Sequence, residues 1–270
     1  MSRQPSQPVL IPETVFSTVG GNTLHEKAVK LAENLRIPLL AEPQAWAETT
    51  DGNRLLLRLG ENGLSLAVVG EKSGPLRVNF VGAKNAFRLA VNRTVKQPLA
   101  RAVGIGHGQR PSIFDATAGF GGDAFVFASL GCQVTMAERS PIIAALLADG
   151  LSRAACHSGT AEIAAAMRLI PGDAKGILST LAPVPDCVYL DPMYPPGKNS
   201  ARHKKEMRLL RQLIGDDEDS AALLSIAREV AMKRVVVKRP KGAPRLANAQ
   251  PSHVITMPNS RFDVYLRPHV

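Results

Sequence analysis

The segment Ile113-Phe114-Asp115-Ala116-Thr117-Ala118-Gly119-Phe120-Gly121-Gly122-Asp123 decides the fold of this chain. Ile113 and Phe114 are typical of the end of a short buried strand. The three glycines that follow are typical of a tight turn in which the backbone approaches a ligand. The apolar run 124–130 predicts a helix that ends at Gly131. A strand, a glycine turn and a helix in this order open a nucleotide-binding α/β sheet.

Two acidic residues beside this turn indicate which ligand it suits. Gly119, Gly121 and Ala124 match the dinucleotide spacing G-x-G-x-x-G/A, which would place a pyrophosphate at the helix N-terminus. Asp115 precedes the turn, however, and Asp123 lies in the first helical turn. Their charges oppose a pyrophosphate and suit a ligand with an ammonium and a sulfonium, such as S-adenosylmethionine. Taken alone, Asp123 would do no more than favour the start of the helix.

The next two predicted strands also end in polar residues. The strand 133–137 is followed by Glu138, about 20 residues beyond the glycine turn, the spacing at which a carboxylate can bind ribose hydroxyls. A helix cap is the structural alternative for this residue. The strand 168–170 leads to Asp173 and Ala174, where an aspartate can contact an adenine amine. We therefore expect both strand ends to contribute to a cofactor site.

The segment after the fourth predicted strand carries the chemistry. That strand, 187–190, is followed by Asp191-Pro192-Met193-Tyr194. Because ligands of open α/β sheets bind at the carboxyl ends of strands, we expect Asp191 beside the glycine turn. A carboxylate that accepts from an exocyclic N–H localises the amine lone pair and orients it toward a sulfonium methyl. Pro192 stiffens the segment and Tyr194 can stack on an extruded base, whereas an isolated Asp-Pro turn would be only structural.

The net charge of +10 is unevenly distributed along the chain. The range 72–114 holds eight bases and no acid, 198–211 holds six bases and one Glu, and 233–245 holds six bases and no acid. Basic segments that recur along a chain can converge into one phosphate-binding face. The alternative is a basic surface that is simply solvated.

Composition places the chain among soluble globular proteins. With 270 residues, 45% hydrophobic and 21% charged, it can bury a full core. No apolar run has the length of a membrane span, and residues 1–12 do not resemble a signal peptide. The three cysteines show neither zinc spacing nor a disulfide pattern, which predicts reduced thiols and a cytoplasmic location. The six scattered histidines predict no metal site.

The chain is predicted to have two parts. Residues 1–95 should form a small α+β domain, and residues 96–270 a Rossmann-like α/β domain. The N-terminal prediction comprises a tether over residues 1 to about 20, a helix at 25–35, and strands at 37–40, 54–59, 64–69 and 76–81. Glycines at positions 60 and 63 indicate a hairpin between the second and third of these strands.

The second part should begin with a helix at 95–103 and contain seven strands. A buried strand at 234–237 and a final hairpin of strands 253–257 and 261–266 follow the four strands already described. A terminal antiparallel hairpin is the usual end of a seven-stranded class I S-adenosylmethionine-dependent methyltransferase sheet.

Six stretches of the chain resemble the bacterial ribosomal RNA small subunit methyltransferase J family. They are 115–123, 138–139 with 144–150, 189–195, 233–240, 244–248 and 261–265. The resemblance extends over about residues 76–267. It implies S-adenosylmethionine-dependent methylation of a guanosine N2 in 16S ribosomal RNA, either as free RNA or within the small subunit. It implies cofactor contacts at Gly122, Asp123, Glu138, Arg139, Asp173, Ala174 and Asp191.

Other functions remain open on the sequence alone. The carboxylate, proline and aromatic of 191–194 also suit a DNA adenine or a protein glutamine as methyl acceptor. A basic RNA-binding assembly factor with an inactive α/β core is a non-enzymatic alternative. An NAD enzyme is disfavoured by the acids beside the glycine turn. The sequence leaves the oligomeric state undetermined.

Overall fold

The computed structural model describes residues 9–12, 22–39, 55–68, 74–82, 95–106, 108–193, 213 and 219–268. The predicted stacking residue Tyr194 and the basic segment 198–211 lie outside these ranges.

The N-terminal part contains a three-stranded sheet and one helix. Strand β1 runs parallel to β2, and β2 forms an antiparallel hairpin with β3 in which Gly60 lies opposite Gly63. The elements are β1 (Val9–Pro12), α1 (Asn22–Leu35), β2 (Leu55–Gly60) and β3 (Gly63–Val68). The predicted hairpin is confirmed. The predicted tether is wrong at β1, because this segment pairs with β2 instead of lying free of the sheet.

The C-terminal part contains a seven-stranded sheet with helices between its strands. Its strands are β4 (Ile113–Asp115), β5 (Val134–Glu138), β6 (Met167–Pro171), β7 (Cys187–Leu190), β8 (Arg234–Pro240), β9 (His253–Thr256) and β10 (Ser260–Leu266). Its helices are α2 (Pro98–Val103), α3 (Gly122–Ser129), α4 (Pro141–Ala155), α5 (Ala161–Ala165), α6 (Ala174–Thr180) and α7 (Ser220–Val230).

The strand order is β6-β5-β4-β7-β8-β10-β9, with β10 antiparallel to both of its neighbours. The remaining pairs, from β6 to β8, are parallel. The predicted Rossmann-like seven-stranded sheet with a terminal antiparallel hairpin is therefore confirmed. The order reverses between β4 and β7, so the carboxyl ends of these two strands border the crevice in which such sheets bind ligands.

Helices cover both faces of the sheet, as its parallel strands require. Alternate residues point to opposite faces, so Ile113 packs in the core below α2, α3, α4 and α5, whereas Phe114 packs in the core below α6 and α7. The first of these cores is continuous with the buried residues of β2 and β3. None of the helices in the described ranges is long and apolar enough to cross a membrane.

Two predicted strands of the N-terminal part are wrong. In the range 37–40, residues 37 and 38 are irregular and Leu39 forms an isolated bridge, because Arg36 adopts a positive φ of 52° and the Ile37 N–H bonds back to Ala32 to close α1. In 76–81 only Leu76 pairs, through an isolated bridge to Leu66. The residues after it turn away from the small sheet to pack on α3 and α4.

The predicted helix 95–103 begins later, at Pro98. Gln97 precedes this proline and is extended, with a ψ of 148°, because the proline ring disfavours a helical conformation in the residue before it. Gly104 ends the helix at a φ of 89°, which agrees with the predicted end at residue 103.

Candidate active site

Two glycines of the turn between β4 and α3 serve different purposes. Both Gly119 and Gly121 have a positive φ, 53° and 71°. A Cβ on Gly121 would lie 2.8 Å from Leu147 Cδ1, so this glycine is also required by packing. Among the residues that the structure describes, a Cβ on Gly119 would meet only Thr117 O, at 4.0 Å. Space for a ligand therefore borders Gly119, and Gly122 begins the helix behind it.

Glu138, at the end of β5, braces the glycine turn. It is 4% exposed, and its Oε2 accepts a hydrogen bond of 2.9 Å from the Gly119 N–H. Its Oε1 accepts one of 2.8 Å from the Ser140 N–H. A carboxylate offers about four acceptor positions, and the hydroxyls of a ribose are donors of the kind that it binds.

Asp115, at the end of β4, is buried beneath the turn. Burial raises its pKa to about 8, an effect that the hydrogen bond from the Thr117 N–H opposes and three neighbouring carboxylates reinforce. The Asp115 side chain is therefore largely protonated at neutral pH. A cationic ligand above the turn would favour its ionised form.

Asp191 lies beside the glycine turn, where the sequence placed it. Its backbone N–H donates a hydrogen bond of 2.6 Å to Thr117 Oγ1, which ties the end of β7 to the end of β4. The Asp191 side chain is 39% exposed and accessible to a substrate, whereas Pro192 behind it is buried. The turn and the predicted catalytic carboxylate thus share one crevice.

A lysine that the sequence analysis did not assign to the site lies at its centre. Lys238 Nζ, from β8, is 2.8 Å from Asp123 Oδ2 and 2.7 Å from Asp191 Oδ2. The Tyr189 hydroxyl donates to the same Asp123 oxygen at 2.7 Å. Asp123 and Asp191 therefore already hold a cation of the protein, so the charge of Asp123, which the sequence analysis matched to a cationic cofactor, is also paired within the chain. The sequence signal that could have identified this residue is a lysine near the end of a buried strand.

The remaining predicted contacts lie at the ends of β5 and β6. Arg139 Nη1 is 3.3 Å from Asp219 Oδ1, and Lys175 Nζ is 2.6 Å from Asp219 Oδ2. Asp173 caps α6 by accepting from the Lys175 N–H at 2.9 Å, and Ala174 is buried. Asp219, at the start of α7, was not predicted to contact this edge of the sheet.

Comparisons with known proteins identify the family. A family model described as "Putative SAM-dependent methyltransferase" matches residues 42–267. The ribosomal RNA small subunit methyltransferase J of Thioalkalivibrio sulfidiphilus is 49% identical over 246 residues, which are 90% of this chain and 94% of that protein. The protein of the same name from Desulfotalea psychrophila is 47% identical over 265 residues, 97% of each chain. The chain belongs to this methyltransferase family.

A solved structure is similar to this chain over almost its whole length. The crystal structure of a SAM-dependent methyltransferase from Neisseria gonorrhoeae has 34% sequence identity and a TM-score of 0.72, over 97% of this chain and 96% of that one. The resemblance predicted from the six sequence stretches is therefore confirmed, and S-adenosylmethionine is the cofactor of the family.

The residues of the crevice fit this cofactor. The described residues leave space beside Gly119, the Glu138 carboxylate is of the kind that binds ribose hydroxyls, and the buried Asp115 can balance a positive charge. In the described ranges, no group of three or more His, Cys, Asp or Glu side chains is arranged to hold a metal ion.

Proposed function

We propose that this methyltransferase transfers a methyl group from S-adenosylmethionine to the N2 amine of a guanosine in 16S ribosomal RNA. The observation that supports this most directly is the position of Asp191, accessible at the end of β7 and hydrogen-bonded through its N–H to the glycine turn. Relatives that cover nearly the whole chain are named ribosomal RNA small subunit methyltransferase J. The site and the names of the relatives thus point to the same chemistry.

Each site residue has a proposed role in this reaction. The cofactor, when bound, supplies an electrophilic methyl on a sulfonium. Glu138 binds the ribose and Gly119 allows close approach of the backbone. Asp191 accepts a hydrogen bond from the substrate amine, which localises and orients its lone pair. Pro192 keeps this segment rigid, and Tyr194 stacks on the extruded base.

The outer edge of the site has its own proposed contacts. Asp173 and Ala174 border the adenine, and Arg139 lies beside the ribose on the same rim. Their ion pairs and hydrogen bonds with Lys175 and Asp219 set the shape of that rim. The positive charge of the chain, +10, suits an RNA substrate. A cytoplasmic location, inferred from the unpaired cysteines, is part of the same proposal.

A methylation assay tests the proposal. The protein is incubated with tritiated S-adenosylmethionine and either free 16S ribosomal RNA or intact small subunits, and the product is digested to nucleosides. We expect label in N2-methylguanosine. In parallel reactions with DNA and with protein as substrate, label in methyladenine or in methylglutamine would replace the RNA assignment. Tight RNA binding without cofactor affinity would favour an assembly factor.

Two variants separate cofactor binding from base positioning. Glu138→Ala should weaken S-adenosylhomocysteine binding at least tenfold in calorimetry, because it removes the brace of the Gly119 N–H. Tyr194→Ala should retain this binding and lose methylation, while Tyr194→Phe, which keeps the stacking ring, should remain active. Equal loss of cofactor affinity in Glu138→Ala and Tyr194→Ala would contradict the separate roles.

A further inference from the structure

We propose that Lys238 is a positioning residue whose ammonium fixes the carboxylate of Asp191 for catalysis by linking it to Asp123. The link to methyl transfer rests on the proposed function. The ionic arrangement itself can be tested without an RNA substrate.

The geometry joins three elements at one nitrogen. Asp123 belongs to the first turn of α3, Asp191 follows β7, and Lys238 lies near the end of β8. One oxygen of each aspartate lies within 2.8 Å of Lys238 Nζ. The helix that begins at the cofactor turn is thereby connected to the segment that carries the predicted catalytic group.

The charges explain why a cation is needed at this point. Asp123 and Asp191 are held close together, with Asp115 and Glu138 nearby on β4 and β5. Without Lys238, the repulsion between two adjacent carboxylates would favour protonation of one of them or its rotation away from the other. A protonated or rotated Asp191 would lose its capacity to accept from the substrate amine.

The lysine is well suited to remain charged. Burial alone would lower the pKa of Lys238, but the charges of Asp191 and Asp123 outweigh this effect and raise it above its ordinary value. Burial and the same carboxylates raise the pKa of Tyr189, so its hydroxyl keeps the proton that it donates to Asp123. The Lys238 ammonium and the Tyr189 hydroxyl therefore both keep their protons at neutral pH.

If Lys238 positions Asp191, its removal should lower kcat without weakening cofactor binding, whereas loss of a merely structural residue should weaken both. Removing a cation from a crevice that binds a cationic cofactor should not weaken the electrostatic attraction between them. Lys238→Met should therefore lower kcat at least tenfold while the S-adenosylmethionine affinity is maintained or increased. As pH falls, kcat of Lys238→Met should also decrease at a higher pH than kcat of the wild type, because Asp191 protonates more easily without the lysine.

Matched variants complete the kinetic test. Lys238→Arg retains the charge and should restore the acid limb of the profile in large part. Lys233→Met is the control: Lys233 also pairs with an aspartate, at 2.9 Å from Asp186 Oδ1, but it precedes β8 at the opposite end of the strand. Its acid limb should coincide with that of the wild type, whatever the substitution does to RNA affinity. Unchanged kcat and pH profile in Lys238→Met would overturn the proposal, as would parallel losses of cofactor affinity and kcat.

A carbon-13 NMR titration of the aspartate carboxyl groups provides a readout that needs no activity. In Lys238→Met, the resonances assigned to Asp123 and Asp191 should titrate at higher pH than in the wild type, and Lys233→Met should leave them unchanged. Unaltered titration in Lys238→Met would overturn the proposed arrangement. Circular dichroism checks folding first, and Lys238→Gln replaces Lys238→Met in both tests if the latter is unfolded. An inactive wild type in the RNA assay would refute the proposed function alone, since the titration is independent of it.

Discussion

At the scale of single residues, the site combines four carboxylates with very different surroundings. Asp115 and Glu138 are buried, while the side chains of Asp123 and Asp191 are 17% and 39% exposed and share one lysine. Similar side chains can therefore serve different purposes. The buried pair supports the turn, and the exposed member of the other pair is available to a substrate.

The raised pKa of Asp115 predicts a pH-dependent stability. Between about pH 4 and pH 8 the folded protein retains a proton that the unfolded chain releases, so this residue lowers the free energy of unfolding by up to about 1.4 kcal/mol per pH unit as pH rises. Asp115→Asn keeps an acceptor for Thr117 and removes this dependence. Its stability relative to the wild type should increase between pH 5 and pH 8.5 in denaturant unfolding.

The control for this measurement is Glu162→Gln, which neutralises an exposed acid of α5. Its difference from the wild type should change little over the same pH interval. A constant difference for Asp115→Asn would contradict the assignment of a proton to this carboxyl.

At the scale of elements, α4 approaches the N-terminal part unusually closely at one glycine. A Cβ on Gly150 would lie 2.5 Å from Val78 Cγ1 and 3.0 Å from Val78 O. Arg153, one turn later, forms an ion pair of 2.8 Å with Asp149 and donates to the same Val78 carbonyl. The contact between α4 and the segment 74–82 therefore depends on the absence of a side chain at position 150.

Two glycine substitutions in helices should have opposite effects. Gly150→Ala should lower the free energy of unfolding by about 1–3 kcal/mol, because overpacking outweighs the gain in helix propensity. A Cβ on Gly176 in α6 would meet no atom of the described residues within 4 Å, so Gly176→Ala should raise the free energy of unfolding by about 0.5–1 kcal/mol. Denaturant unfolding of both variants checks this, and a stabilised Gly150→Ala would show that Val78 yields without cost.

At the scale of the whole molecule, one core connects the small sheet to the large one. Phe80 stacks on Phe125 of α3 with ring centroids 4.7 Å apart, and both belong to a cluster that also contains Leu57 of β2 and Val236 of β8. The division at residue 95 into two domains stays a prediction. This shared core favours their unfolding as one unit.

Calorimetry tests that expectation. The full chain should unfold in a single transition with equal calorimetric and van't Hoff enthalpies. Phe80→Ala should lower its stability by about 3–5 kcal/mol and shift this one transition. Two separate transitions in the wild type, only one of which moves in Phe80→Ala, would instead establish independent domains.

The sequence by itself determined the succession of the strands along the chain from β4 to β10, the helix after the first of them, the glycine turn and the acids at the strand ends. These features depend on short-range patterns: apolar runs of strand length, glycines at a turn, and Asp or Glu directly after a strand. Because parallel strands present their carboxyl ends at one edge of a sheet, the position of Asp191 beside the turn followed from the pattern as well.

Only the tertiary structure decided the partners of those acids and the path of residues 76–80. Lys238 meets Asp191 and Asp123 across 47 and 115 residues, and such a contact depends on which strands are neighbours and how far each extends. Similarly, the 76–80 segment has an apolar pattern suited to a strand, but Val78 and Phe80 bury more surface against α4 and α3. Both the Lys238 ion pairs and the path of 76–80 are set by packing between elements that are distant in sequence. Patterns of adjacent residues do not encode such contacts, and they can outweigh local strand preference.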